Sequence, residues 1–268
     1  VGCLLFLGTR YFLRTIIQEV VFRPRFFVYG INNKKKGYNM KRILILGMAL
    51  MLSVVAFAQK NITQFLGIPI DGTKSAMIQK LKAKGFTYNA SDDVLSGQFN
   101  GRSVNLHVVT NNNNVYRIMV ADAVGTTEGE IKIRFNTLCS QFEKNGKYLP
   151  QNLLGKYSLN DEEDISFEMS VHNKRYQAAY YQVTEADQDT TGISEWLTDK
   201  IISEYGKEKW ESMSEEERQI AGIRLAMDYL LDKVSHKSVW FMISERFGRY
   251  YINIFYDNEQ NQANGEDL

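Results

Sequence analysis

Cysteine and histidine are nearly missing from this chain. Its 268 residues hold two cysteines, Cys3 and Cys139, and three histidines, His107, His172 and His236. No Cys-x-x-Cys and no His-x-x-x-His occurs, so the spacings that let neighbouring side chains share a metal ion are lacking. There is no Gly-x-Ser-x-Gly elbow, no P-loop and no Gly-rich dinucleotide fingerprint. On these grounds no catalytic residue, no metal ligand and no cofactor is expected. Cys139 shares a helical stripe with Ile131, Phe135, Leu138 and Phe142. A reactive thiolate needs an exposed, electropositive setting, so Cys139 reads as a buried structural thiol.

Long apolar runs are also scarce, and the one at Ile43–Phe57 has a specific reading. Lys41 and Arg42 precede it, and Ala56-Phe57-Ala58 closes it with a small-x-small cleavage signature. Residues 40–58 therefore read as a secretory signal peptide with the cut before Gln59. The run is short for a permanent anchor, and no Cys follows the cut, so the mature chain is expected to carry no transmembrane or lipid anchor. Residues 1–39 scatter Arg10, Arg14, Arg23 and Arg25 through apolar stretches, which spoils a membrane span. The Lys34-Lys35-Lys36-Gly37 codons would spell a purine-rich ribosome-binding site just ahead of Met40, so 1–39 reads as translated upstream sequence.

Removing this leader changes the charge. The chain has 32 Lys+Arg and 31 Asp+Glu, of which residues 1–58 hold 9 and 1, leaving 23 against 30 and a net charge of −7. An acidic mature chain has no general attraction for nucleic acid or anionic lipid. Cys139 would be its sole thiol, so an internal disulfide is excluded and stability must come from packing.

What is present alternates between two periods. Thr73 opens a helix to Lys84 with Met77, Ile78 and Leu81 on one face, and Gly85 fits its left-handed cap. Asn100-Gly101 is a two-residue hairpin turn, followed by Val104, Leu106 and Val108 alternating with polar residues. A third strand is read at Val115–Asp122. Thr127 and Glu130 form a capping box for a helix ending near Gly146. Ile165, Phe167, Met169 and Val171 alternate as a strand, and Tyr176, Ala178 and Tyr180 as its return. Helices follow at Ile193–Tyr205 and behind a second capping box at Ser214–Glu217, with Ile220, Ile223, Met227, Leu230, Leu231 and Val234 as the apolar seam of the latter. Val239–Ser244 and Arg249–Tyr256 flank a turn at Gly248 and are apolar on both faces, which places them inside a covered sheet. The expected fold is α+β: two helix-plus-antiparallel-meander units, 59–125 and 126–257, with a helical insertion at 186–235 in the second, then a polar tail at 258–268.

Four stretches, FLGIPIDGTKSAMIQKLKAKGF at 65–86, RFNTLCSQFEKNGKY at 134–148, EMSVHNKRYQAAYY at 168–181 and NGEDL at 264–268, resemble an uncharacterised family of secreted proteins from Bacteroidales. The order of helix and meander is similar to β-lactamase-inhibitor-like and outer-membrane-assembly lipoprotein folds. The resemblance implies export and this fold, and it brings no activity and no site residue.

Two acidic stretches invite a calcium reading. Asp161–Asp164 lacks the glycine and spacing of a calcium loop, and the Asp257, Glu259, Asn261 start of another has Gln262 at its sixth position and no closing Glu. Both read as solvated loops. Tyrosines crowd the strands, and Tyr176, Tyr180, Tyr250 and Arg249 are candidate contact residues for a protein or glycan partner if their face is open. Core packing is the competing reading of the same tyrosines. Two functions remain: a non-catalytic module binding another envelope protein through its sheet face, or a periplasmic hydrolase of glycan or peptide using a carboxylate pair.

Overall fold

A computed structural model describes residues 61–152, 155–188, 192–263 and 265, so the leader and the signal segment lie outside the described residues. The chain is α+β. A small lead-in hairpin, β1 (Gln64–Phe65) and β2 (Ile68–Pro69), precedes α1 (Lys74–Ala83). Four strands follow: β3 (Thr87–Asn89), β4 (Val94–Phe99), β5 (Arg102–Asn111) and β6 (Asn114–Asp122). Then come α2 (Glu128–Lys144), β7 (Tyr148–Pro150), α3 (Ile165–Val171) and β8 (Gln177–Gln182). Helices α4 (Ile193–Tyr205), α5 (Lys207–Ser212) and α6 (Glu215–Val234) lead to the long final hairpin, β9 (Lys237–Arg246) and β10 (Arg249–Asn258).

Apart from the lead-in hairpin, all strands join one antiparallel sheet in the order β3-β4-β5-β6-β10-β9-β8-β7. The first four strands fill one half and the last four the other, and β6 meets β10 in the middle with Val120 opposite Ile254. Local chemistry sets the boundaries. Thr73 and Thr127 accept the backbone N–H groups of Ala76 and Glu130 at the two helix starts. At the end of α1, Gly85 takes φ +95°, and the Phe86 and Gly85 N–H groups return to the Leu81 and Lys82 carbonyls.

Both α1 and α2 pack on the same face of the sheet. Met77 and Leu81 from α1, and Ile131, Phe135 and Phe142 from α2, meet Leu106, Val120, Ile254, Phe241 and Tyr180 in one continuous core. Each fully buried side chain of this size contributes about 1.5–3 kcal/mol. Cys139 lies in that core, and burial pushes its thiol up to about 12. A maleimide should therefore label the native chain slower than the urea-denatured chain by at least a factor on the order of a hundred. Comparable native and denatured rates would show that α2 opens readily.

Three expectations are corrected. Residues 165–171 form a helix, although Ile165, Phe167, Met169 and Val171 alternate. Asp164 caps it by accepting the Phe167 N–H, and Phe167 and Val171 stay 49% and 56% exposed, so the alternation does not mark a buried face. The strand beside β8 is instead β7, which pairs Tyr148 with Gln182 and Pro150 with Tyr180. On α6, Ile220 and Ile223 are 64% and 46% exposed, and the buried stripe is Ala221, Leu225, Ala226, Tyr229, Leu230 and Val234. The small residues Ala221, Gly222 and Ala226 turn inward, and Ala226 packs with Ile193 and Leu197 of α4.

The helices between β8 and β9 have a core of their own, made of Ile193, Leu197, Leu225, Ala226 and Tyr229 with Trp196 beside them. They touch the sheet at its β7–β8 margin, through Leu230, Val234, Val183, Leu149 and Tyr181. A buried ion pair ties their base. Lys237 and Asp187 have no exposed side-chain surface and bond each other directly. Asn61 bridges them, accepting from Lys237 Nζ and donating to Asp187 Oδ1, both at 2.7 Å. Burial alone would raise the Asp187 carboxyl, but hydrogen bonds from Lys237, the Thr184 backbone and Asn61 outweigh it and hold the group below its usual value.

Candidate functional site

Because successive residues of a strand point to opposite faces, the sheet has a second face that α1 and α2 leave uncovered. Its register can be read across the strands. Met119 on β6 stands opposite His107 on one side and Phe255 on the other, and Phe255 stands opposite Trp240, which stands opposite Ala179. The next row runs Val109, Arg117, Asp257, Ser238 and Tyr181. A third runs Asn105, Ala121, Asn253, Met242 and Gln177. Helix α6 reaches this face at the β7–β8 margin, where Leu230 and Val234 pack near Tyr181.

At the centre the Trp240 and Phe255 rings stack with centroids 4.0 Å apart and planes 17° apart. The Arg117 guanidinium lies 5.0 Å from the Phe255 centroid and 5.6 Å from that of Trp240. It donates two hydrogen bonds to Asp257, at 2.6 and 2.7 Å, and Trp240 Nε1 donates to the same carboxylate at 2.9 Å. The carboxylate thus fixes both the guanidinium and the indole. Asp257 is buried, while Trp240, Met119, Met242 and Tyr251 remain partly exposed. Aromatics, Met and Arg without Lys or an unpaired carboxylate is the composition of protein interface centres.

The edges of the sheet offer much less. The outer strands β3 and β7 have three residues each, and β7 ends in Pro150, which has no N–H to donate. Past Pro150, the Gln151 N–H and the Tyr157 hydroxyl both bond the Ala179 carbonyl, closing that margin to an incoming strand.

The tyrosines singled out by sequence lie elsewhere. Tyr176, Tyr180 and Tyr250 are buried on the helix-covered face, where Tyr180 stacks on Phe142 and the Tyr176 hydroxyl donates to Glu163. They belong to the core and reach no partner in the folded chain. Arg249 is exposed at the start of β10 and bonds the Gly125 carbonyl. The residues that build the open centre, Trp240, Phe255, Arg117 and Asp257, were not among the candidates. For Trp240 and Phe255 the signal is the apolar character of both faces of the final hairpin, which points to burial; Arg117 on β6 and Asp257 carry no such signal.

Three clefts open on the helix-covered side. Glu130 lines one, Glu185 another and no carboxylate the third, so none of the three brings two together. Among the described residues no group of three or more His, Cys, Asp or Glu could hold a metal ion, and no helix is long and apolar enough to cross a membrane. No family model, curated protein or solved structure matches the chain.

Proposed function

We propose that the chain is an exported envelope protein whose helix-free sheet face binds another protein, without catalysis. The observation that carries this reading is the Trp240–Phe255 stack, locked by Arg117 and Asp257 in an otherwise uncovered face. Phe255 is buried within this stack and Trp240 is partly exposed, so the face offers an aromatic and methionine surface for a partner's side chains to pack against. Export, and with it a periplasmic or secreted location, is supported by the signal pattern at 40–58, and the Bacteroidales resemblance points the same way.

The test is photo-cross-linking in the native envelope from position 242 on this face and from position 133 on α2. Position 242 should give a discrete cross-linked protein that position 133 does not. Trp240→Ala should weaken that complex by about 2 kcal/mol or more, roughly thirtyfold, with little change at Ile133→Glu. Equal cross-linking from both positions, or full binding by Trp240→Ala, would overturn the reading.

A further inference from the structure

On the opposite side of the sheet, a cleft runs between the lead-in hairpin, the C-terminal turn of α2 and the β4–β5 turn. Its two joined compartments have volumes of about 770 and 540 Å³ and share Leu66, Phe99, Asn145, Tyr148 and Tyr256. That is the size of a ligand site. Tyr256 and Ile254 of β10 line its floor. The Tyr256 hydroxyl bonds Tyr148, and the Tyr148 ring in turn packs tilted against Phe142 with centroids 4.6 Å apart, so the aromatic wall is fixed before any ligand arrives. The roof is a bridge from Asn100 Nδ2 to Gln141 Oε1, 2.9 Å.

The chemistry of the lining is uneven. Charged residues make up 24% of the chain, yet the whole cleft holds two, Lys147 and Glu185, both beside the β7–β8 margin. Seven Asn and Gln side chains line it. Asn61 and Gln182 spend their amides on Asp187, Lys237 and the Gln64 backbone, while Gln64 and the remaining groups of Gln98, Asn100, Gln141 and Asn145 keep a donor or an acceptor for the hydroxyl groups of a ligand, without the desolvation cost of an ion. Aromatic rings supply the flat apolar surface for the C–H faces of the same molecule. A single carboxylate cannot provide the acid and base of glycoside cleavage.

From this lining we infer that the cleft is a binding site for a neutral oligosaccharide, held without being cleaved. It lies on the face opposite the protein-docking surface and does not depend on that surface. Gln64 and Asn145 are the residues to alter, since both reach the cleft while Tyr256 and Phe142 belong to the core. Neither Gln64 nor Asn145 is buried, so alanine there leaves the core intact.

The experiment titrates the chain from Gln59 onward with maltohexaose, chitohexaose, mannohexaose and, as an anionic control, hexagalacturonate at millimolar concentration. Side-chain amide resonances are followed by nuclear magnetic resonance. A neutral hexasaccharide should shift the Gln64, Gln141 and Asn145 amides, and the hexasaccharide should remain uncut. Gln64→Ala should weaken binding by about tenfold with an unchanged melting temperature, Asn145→Ala by a similar factor with a slightly lower one because the Lys147 N–H loses its acceptor, whereas Lys147→Ala should not weaken it. No shift with any neutral sugar, shifts confined to the Trp240 face, or tighter binding of hexagalacturonate that Lys147→Ala removes would each overturn the inference. If an alanine variant melts early, Gln64→Glu and Asn145→Asp replace it, and the same loss of affinity is required.

Discussion

Asp187→Asn should destabilise the fold by about 3–5 kcal/mol, because it leaves the Lys237 ammonium buried without its counter-charge. Both groups lack exposed surface, so water cannot take over the lost partner. On a domain of this size the change lowers the melting temperature by roughly 10 °C or more. Asp187→Asn combined with Lys237→Met should recover most of the loss, since removing both ions also removes the cost of burying them. Urea and thermal melts of the single and double variants measure the difference. A single variant as stable as wild type would mean that the pair contributes nothing. The pH dependence has a definite sign. The Asp187 carboxyl is held below its usual value, so its stabilisation is present above about pH 4 and is lost as pH falls through the lower folded-state value. The double variant should lose this acid-sensitive component.

A chain in which Val183 is joined to Ser238 by a short Gly/Ser linker should still fold. Strands β8 and β9 are already antiparallel neighbours, with Tyr181 opposite Ser238, so a hairpin loop can replace the helices without moving either strand. The excised segment takes its own core with it, Ile193, Leu197, Leu225, Ala226 and Tyr229, and removes Asp187 and Lys237 together. What remains exposed is the margin around Leu149, Tyr181 and Val183. Uncovering three partly buried side chains costs at most several kcal/mol, at about 1.5–3 kcal/mol for each if fully exposed. That is a serious fraction of a total stability of roughly 5–15 kcal/mol, so the product should melt earlier but cooperatively. Circular dichroism with calorimetry decides the matter. A molten or aggregated product would show that the helices are integral to the sheet.

Much of the fold could be read along the chain because local signals agreed with burial. The Thr127–Glu130 and Ser214–Glu217 boxes, the Asn100–Gly101 turn and the alternation of Val104, Leu106 and Val108 each specify structure within a few residues. The failures came where a short segment was decided by distant partners. Residues 165–171 alternate as a strand would, yet the Asp164 cap starts a helix there. Strand β7 has only three residues and exists because β8 offers an edge to pair with. The open face was harder still. Its centre joins Arg117 to Asp257 and Trp240 to Phe255, and the first of these pairs is 140 residues apart. Period alone says that a strand is apolar on both sides, and it does not say which side a helix will cover.

The blunted margins of the sheet carry a consequence for behaviour at high concentration. A broad apolar face usually brings a danger of polymerisation, because molecules that meet there can also add strand to strand without end. Here the outermost strands are three residues long, one ends in proline, and a tyrosine hydroxyl occupies the carbonyl just beyond it. Such short outer strands leave growth into fibres little backbone to follow, whatever meets the Trp240 face.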